Sequence, residues 1–194
     1  VKAGGTKVRG NLNTETTKGE PDGIYGKTKR KAEIRLLELA KETTMEITVL
    51  RPSLVYGANV KGNLLNMLTA IKKGWFPPLP DINNALSMIH VDDVVRALLF
   101  LATNNNLDGE IYIATDGKLY SSSEVYKILS KALGKKVRKW RVPFTFFKIL
   151  AFLNSNFRNK VNKIFKDEAY SSMKLQSAGF KPVFTLKEIY EKAF

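Results

Sequence analysis

The chain has no cysteine, which excludes disulfides, thiol nucleophiles and thiolate metal sites. It has one histidine, His90, so a zinc centre built from imidazole and thiolate is not expected. No apolar run approaches the roughly 20 residues of a membrane-spanning helix, and the opening residues do not read as a secretory leader. A cytoplasmic protein is the expectation. Carboxylates are scarce, with 18 Asp and Glu against 32 Lys and Arg, a formal net charge of +14. Such a surface attracts anions: nucleotide diphosphates, nucleic acid or anionic lipid. The remaining composition is that of an ordinary folded protein. The 194 residues are 44% hydrophobic and 26% charged, enough for one domain or two small ones around a core.

The stretch from Ile24 to Gly57 organises the chain. Pro21, Asp22 and Gly23 mark a turn. Behind it Ala32, Leu36, Leu39 and Ala40 recur at helical spacing, with Glu33, Arg35, Glu38 and Lys41 between them, the pattern of a long amphipathic helix. Ile47 to Leu50 is short, β-branched and apolar, as a strand of a parallel sheet would be. Arg51-Pro52 ends it, since proline has no amide hydrogen to continue a ladder, and a Pro-containing loop is expected to follow.

Tyr25 and Lys29 lie four residues apart at the head of the helix, so both side chains share a face. An ammonium beside a phenol favours the phenolate, which makes Tyr25 a candidate general acid/base for an alcohol proton. Lys29 adds donors for a sugar. In a lysine-rich chain such a pair also arises by chance, and Tyr170 and Lys174 repeat it. Only Tyr25 opens a helix that leads into a strand and an Arg-Pro loop.

Further along, Asn63 to Lys72 is helical in pattern, and Trp75 to Pro80 is an aromatic, proline-rich loop. Asp81 to Ala85 reads as a turn and Leu86 to Val91 as a strand. Asp92 is expected to cap a helix over Asp93 to Thr103. Glu110 to Ala114 alternates like a strand. Ser121 and Glu124 have capping-box spacing before a helix that Gly134 closes. Val137 to Val142 is read as a basic strand and Phe144 to Leu153 as an apolar helix. Ser171 or Ser172 is expected to cap a short helix, and Thr185 with Glu188 to form a second capping box. His90 is read as a packing or hydrogen-bonding residue. From Lys118 to Lys166 thirteen lysines and arginines face Glu124 alone. A solvated basic face explains that as readily as an anion site. No nucleic-acid signature accompanies the charge, so no nucleic-acid partner is expected. Contact of the Phe144 to Leu153 run with a membrane surface is set below its burial as core.

In this order and spacing, several motifs resemble the extended short-chain dehydrogenase/reductases that act on nucleotide sugars. They are Tyr25-Gly-Lys-Thr-Lys29, Arg51-Pro-Ser-Leu-Val-Tyr-Gly57, Gly62-Asn-Leu64, Ile89-His-Val-Asp-Asp93, Ala178-Gly-Phe-Lys-Pro182 and Thr185-Leu-Lys-Glu188. Within that family the chain looks most like bacterial epimerases that act at C4 of UDP-glucose or UDP-N-acetylglucosamine in surface-polysaccharide synthesis. The resemblance implies an α/β fold, the second half of a Rossmann-like doubly wound parallel sheet plus a smaller α/β substrate domain. Residues 1–57 and 86–115 would form the cofactor part, and 58–85 and 116–194 the substrate part. It also implies NAD, a nucleotide-sugar substrate and a homodimer.

By the same resemblance Tyr25 and Lys29 are catalytic and touch the cofactor, and Pro52, Ser53 and Leu54 lie along the nicotinamide. Leu54, Asn63, Leu64, Leu79 and Pro80 contact the substrate. The family's glycine-rich cofactor loop and catalytic Ser or Thr are expected upstream of Val1, with Thr6 not their substitute. The segment is therefore read as the C-terminal portion of a longer enzyme and as a poor catalyst alone. The family's diphosphate-clamping arginine is replaced around Ala85 and Leu86, which leaves a polyprenyl-diphosphate sugar as an alternative substrate. An NADP-dependent keto-sugar reductase and a non-catalytic Rossmann-like binding protein are the other readings.

Overall fold

The computed structural model describes residues 12–21, 23–80, 83–137 and 165–188, with Gly4, Val142, Pro143, Thr145, Phe147 and Phe152 as isolated positions. Gly5, Thr6, the start of the expected turn at residues 81–82, and most of the expected strand (137–142), apolar helix (144–153) and basic segment (158–166) lie outside these residues.

The long helix forms as α1, Gly23–Glu42. The strand that follows, β1, is Val49–Pro52, two residues later than the apolar run suggests. Where a loop was expected, a further strand β2, Leu54–Tyr56, follows at once. Then come α2 (Gly62–Lys72), β3 (Leu86–His90), α3 (Val91–Ala102), β4 (Ile111–Ala114), β5 (Leu119–Tyr120), α4 (Ser122–Ala132) and α5 (Met173–Ser177).

β1 runs parallel to β4, with Val49 opposite Ile111 and Arg51 opposite Ile113. β2 runs parallel to β3, with Leu54 opposite Met88 and Tyr56 opposite His90. β5 returns antiparallel along β3. Parallel neighbours need a crossover between them: α2 supplies it from β2 to β3, and the connection from β1 to β4 runs through β2, α2, β3 and α3. The buried residues Asp93, Ala97 and Leu101 of α3 recur every four residues, so one face lies inward. β1 ends at Pro52, as the Arg51-Pro52 pair suggests, and Ser53 N donates to Ala114 O at 3.0 Å directly beyond it.

Helix ends follow local chemistry. Ser121 and Glu124 make the expected reciprocal capping box. At α3 the cap differs from expectation: Asp92 is exposed, and His90 holds the cap position, its Nδ1 accepting from Asp92 N at 3.3 Å. At α5, Ser172 occupies the cap position without a side-chain capping bond, and the Ser171 hydroxyl accepts from Met173 N.

Two apolar clusters form the core. One holds Ile89, Ala97, Leu101, Tyr112, Ala114, Leu175 and Phe180. The other holds Tyr56, Leu64, Leu79, Met88, Tyr126, Leu129 and Phe147 among its members. Phe147, from the apolar run 144–153, is buried and packs edge-on against Phe165.

Two buried carboxylates tie residues 183–186 to the sheet. Asp93 accepts from Val183 N and Phe184 N and pairs with Arg96. Asp116 accepts from Tyr120 Oη at 2.8 Å, from Lys118 N at 2.9 Å and from Tyr56 Oη at 3.4 Å. Tyr56 also donates to Phe184 O, and Tyr120 Oη accepts from Leu186 N. Burial pushes the Asp116 carboxyl above the ordinary carboxylate range, against hydrogen bonds that pull it down. Burial and the neighbouring Asp116 push both phenols up.

A carboxyl whose folded-state value is raised binds more protons folded than unfolded. Its contribution is therefore lost as pH rises from the ordinary value near 3.8 through its own raised value. Asp116→Asn should flatten that part of the curve of unfolding temperature against pH, leaving the variant less sensitive than the parent between pH 4 and neutrality. Parallel curves for the two proteins would show that Asp116 does not titrate in this window.

Candidate functional site

α1 presents Tyr25, Lys29 and Glu33 four residues apart, along one stripe of the helix. Tyr25 is 65% exposed, and the Lys29 ammonium lies 5.7 Å from its ring centroid. Glu33 is turned inward and meets Arg51. The guanidinium donates through Nε and Nη2 to both carboxylate oxygens, the shortest contact being 2.6 Å, with the side chains only 7% and 13% exposed. Such a two-pronged pair fixes orientation as well as distance. It sets the rotation of α1 about its axis, and with it the side on which Tyr25 and Lys29 emerge.

Two more contacts hold the approach to α1. Arg30 donates to Gly19 O at 2.6 Å. The Glu15 carboxylate accepts from Ile113 N at 2.8 Å, and Ile113 is the residue paired with Arg51 across β1 and β4. The loop before Tyr25 and the helix after it are thus anchored at one level of the sheet.

Arg51 runs directly into Pro52, Ser53 and Leu54. Pro52 is half-buried and Ser53 is buried. Among the described residues the Ser53 hydroxyl has no hydrogen-bond partner, an arrangement that costs about 1–3 kcal/mol. A ligand carrying an amide, such as a nicotinamide, fits that deficit. Lys29 offers donors suited to ribose hydroxyls. Leu54 packs against the cluster that buries Leu64 and Leu79, so Leu54, Leu64 and Leu79 converge. Leu64 and Leu79 have their side chains in the core and can meet a ligand only through backbone groups. Asn63 is exposed and Pro80 half-buried. α2 begins at Lys61 without a side-chain capping bond, which leaves its first amides for solvent or an anion.

The second Tyr-Lys pair is committed elsewhere. Tyr170 is buried, and its backbone exchanges hydrogen bonds with the Ser87 hydroxyl. Lys174 pairs with Glu110 at 2.6 Å, donates to Ile111 O and lies 4.6 Å from the Tyr112 ring centroid. An open cavity of about 380 Å³ lies between residues 83–85 and 119–124. None of the residues expected at the site lines it. Sequence reasoning missed Glu33 and Glu15 as positioning groups. Glu33 stood out only as one of several charges on α1, and nothing local marked Glu15.

The fold is shared by solved structures of low sequence identity. A dTDP-glucose 4,6-dehydratase from Bacillus anthracis, solved with NAD, superposes with a TM-score of 0.72 at 19% identity, over 98% of this chain and 58% of that one. The UDP-glucose 4-epimerase of Thermus thermophilus, also with NAD, gives 0.70 at 18% identity, over 99% of this chain and 61% of that one. These place the chain among mixed α/β proteins of the Rossmann type. Its sequence matches the family described as NAD dependent epimerase/dehydratase over residues 3–114. The chain belongs to that family. It is 27% identical over 195 aligned residues to a UDP-glucose 4-epimerase of Vibrio cholerae, covering 99% of this chain and 58% of the relative. It is 25% identical to the N-acetyl-α-D-glucosaminyl-diphospho-ditrans,octacis-undecaprenol 4-epimerase of Escherichia coli O157:H7, covering 87% of this chain and 55% of the relative.

Arg51→Ala should destabilise the chain by about 3–5 kcal/mol, because it strands a buried carboxylate. Arg51→Lys should recover little, since an ammonium cannot bridge both oxygens. Denaturant unfolding of the three proteins checks this, and a loss within 0.5 kcal/mol for Arg51→Ala would mean that the pair is open in solution. Gly57 has φ +122°, and a Cβ there would lie 2.7 Å from His90 Nε2 and 2.8 Å from Val91 Cγ1. Gly57→Ala should therefore cost roughly 1–3 kcal/mol. An unchanged unfolding midpoint would contradict that close approach.

Proposed function

We propose that this chain supplies the acid–base and sugar-binding part of an NAD-dependent epimerase that inverts C4 of a UDP-hexose by transient oxidation to the 4-keto sugar. The observation that carries this reading is the exposed Tyr25–Lys29 pair, on a helix face locked through Glu33 and Arg51 beside Pro52, Ser53 and Leu54. NAD, when bound, accepts a hydride from the sugar and returns it. Tyr25 takes the proton of the C4 hydroxyl as the carbonyl forms, and gives it back when the sugar is reduced on its other face. Lys29 holds the ribose. Pro52, Ser53 and Leu54 contact the nicotinamide, while the backbone at Leu54, Asn63, Leu64, Leu79 and Pro80 holds the nucleotide sugar. Residues 1–57 and 86–115 serve the cofactor, and 58–85 and 116–194 the substrate. The setting is surface-polysaccharide synthesis in the cytoplasm. Exposed Ile34 and Leu36 on α1 support a homodimer.

A second reading has a specific observation behind it. Ala85 and Leu86 occupy the region where the family's phosphate-clamping arginine is expected. The Ala85 amide donates to the Asp167 carboxylate at 2.8 Å, so the start of β3 faces a negative charge. A polyprenyl-diphosphate sugar is the alternative substrate, and the named activity of the Escherichia coli relative supports it.

The test uses the whole enzyme with NAD and either UDP-glucose or a lipid-linked sugar diphosphate. Formation of UDP-galactose supports the first reading, and epimerisation of the lipid-linked sugar alone supports the second. Tyr25→Phe should lower turnover about 10²–10⁴-fold with NAD affinity nearly unchanged, and Tyr170→Phe should leave turnover close to that of the parent. Equal losses in the two variants would remove the assignment of Tyr25.

A further inference from the structure

We propose that α2, the turn behind it and the exposed side of α4 form a docking surface for anionic lipid. The inference is independent of the sugar chemistry above and rests on how one turn is built. Gly74, at φ +73°, closes α2. The amides of Trp75 and Phe76 both donate to Ala70 O, at 2.9 and 3.2 Å. That geometry sends two successive aromatic residues in opposite directions. Phe76 turns inward and stacks on Tyr126 of α4, with centroids 5.5 Å apart and planes at 22°. Trp75 turns outward and is 80% exposed.

An isolated exposed tryptophan is unremarkable on its own. The charges around this one are not. Lys61, Lys72 and Lys73 lie in a stretch from Gly57 to Pro80 that contains no Asp or Glu. Lys73 Nζ lies 5.7 Å from the Trp75 ring centroid. Leu65, on the outer face of α2, is 45% exposed. The stacking of Phe76 on Tyr126 brings the turn against the middle of α4, where Lys127 and Lys131 are exposed, with Lys135 and Lys136 following. None of these seven lysines is ion-paired among the described residues. The nearest carboxylate in sequence, Glu124, is held in the cap at the far end of α4.

Unpaired ammonium groups around an outward indole and a leucine suit a layer with phosphate headgroups above and acyl carbon below. Tryptophan favours that boundary, and lysine stems reach from it to the headgroups. Single-stranded nucleic acid is less well served, since it binds over successive aromatic platforms and, among the described residues, this surface presents the Trp75 ring alone. The apolar run 144–153 is not needed for the contact, and its Phe147 is buried.

The test takes the chain itself and sediments it with vesicles of phosphatidylcholine alone or mixed with phosphatidylglycerol, at physiological salt. Binding is expected only to the mixed vesicles, with Trp75 fluorescence quenched by brominated acyl chains. Lys72→Glu with Lys73→Glu, and separately Lys127→Glu with Lys131→Glu, should each weaken binding by about 25-fold or more, at roughly fivefold for each lysine lost. Trp75→Ala should abolish the bromine-sensitive quenching and reduce sedimentation. All these positions are exposed, so circular dichroism and unfolding temperature should match the parent. The proposal is overturned by absence of sedimentation, by equal binding to neutral vesicles, or by variants that bind as the parent does. It is also overturned if a single-stranded oligonucleotide displaces the vesicles and binds Trp75→Ala undiminished.

Discussion

Arg51 is taken almost wholly out of water, and its charge is answered by a single carboxylate 18 residues earlier in the chain. A buried ion pair adds little net stability relative to apolar residues of the same volume, because desolvating both charges nearly cancels their attraction. Its effect is geometric. Within this chain α1 buries Gly26, and the two-pronged contact ties the helix to β1 at Glu33, two turns beyond Tyr25. The same arginine is the last residue before Pro52 and Ser53. One interaction therefore sets both the azimuth of the face that carries Tyr25 and Lys29 and the place of α1 against the strand that leads into Pro52 and Ser53.

A second constraint works from the other end of the chain. Tyr56, in the same motif as Arg51, does not face a ligand. It is buried, with its hydroxyl shared between Asp116 and Phe184 O. Asp93 holds the neighbouring amides of Val183 and Phe184. Residues 183–186 thus act as a strap across β2, β5 and the start of α3. The motif from Arg51 to Gly57 is pinned at its first residue by Glu33 and near its last by this strap, which leaves its middle, Pro52 to Leu54, as the part available to a ligand.

Much of the architecture was legible because it depends on short-range chemistry. The capping box of Ser121 and Glu124 is complete within four residues, and the period of α1 within a few turns. β2 was missed because three residues after a proline are too few to display alternation. The cap at α3 was misassigned because Asp92 has the better intrinsic cap propensity, whereas burial beside Tyr56 and Phe184 turns His90 towards the Asp92 amide. Two Tyr-Lys pairs were indistinguishable by spacing and are separated by environment, one buried and ion-paired, the other exposed. The apolar stripe of α1 marks an amphipathic helix, and Leu36 within that stripe is 45% exposed. Amphipathic period shows which residues share a face, not what that face meets. Glu33 and Glu15 act on partners distant in sequence, and no local pattern reveals such pairings.

The treatment of negative charge shows how far the fold alone constrains the substrate. In the region where the resemblance leads one to expect a diphosphate-clamping arginine, this chain has Ala85 and Leu86, the latter packed against the core. The Ala85 amide is taken by Asp167, and Glu168 N bonds back to Ala85 O at 2.8 Å. Under the proposed function, a diphosphate draws on other donors. Those nearest to the residues that converge with Leu54 are the first amides of α2, which Lys61 leaves without a side-chain cap. Backbone amides at a helix start bind phosphate oxygens without reading what the diphosphate is attached to. An anchor of that kind accepts a nucleotide or a lipid on the far side equally well, so selection between them falls to the surfaces on either side of α2.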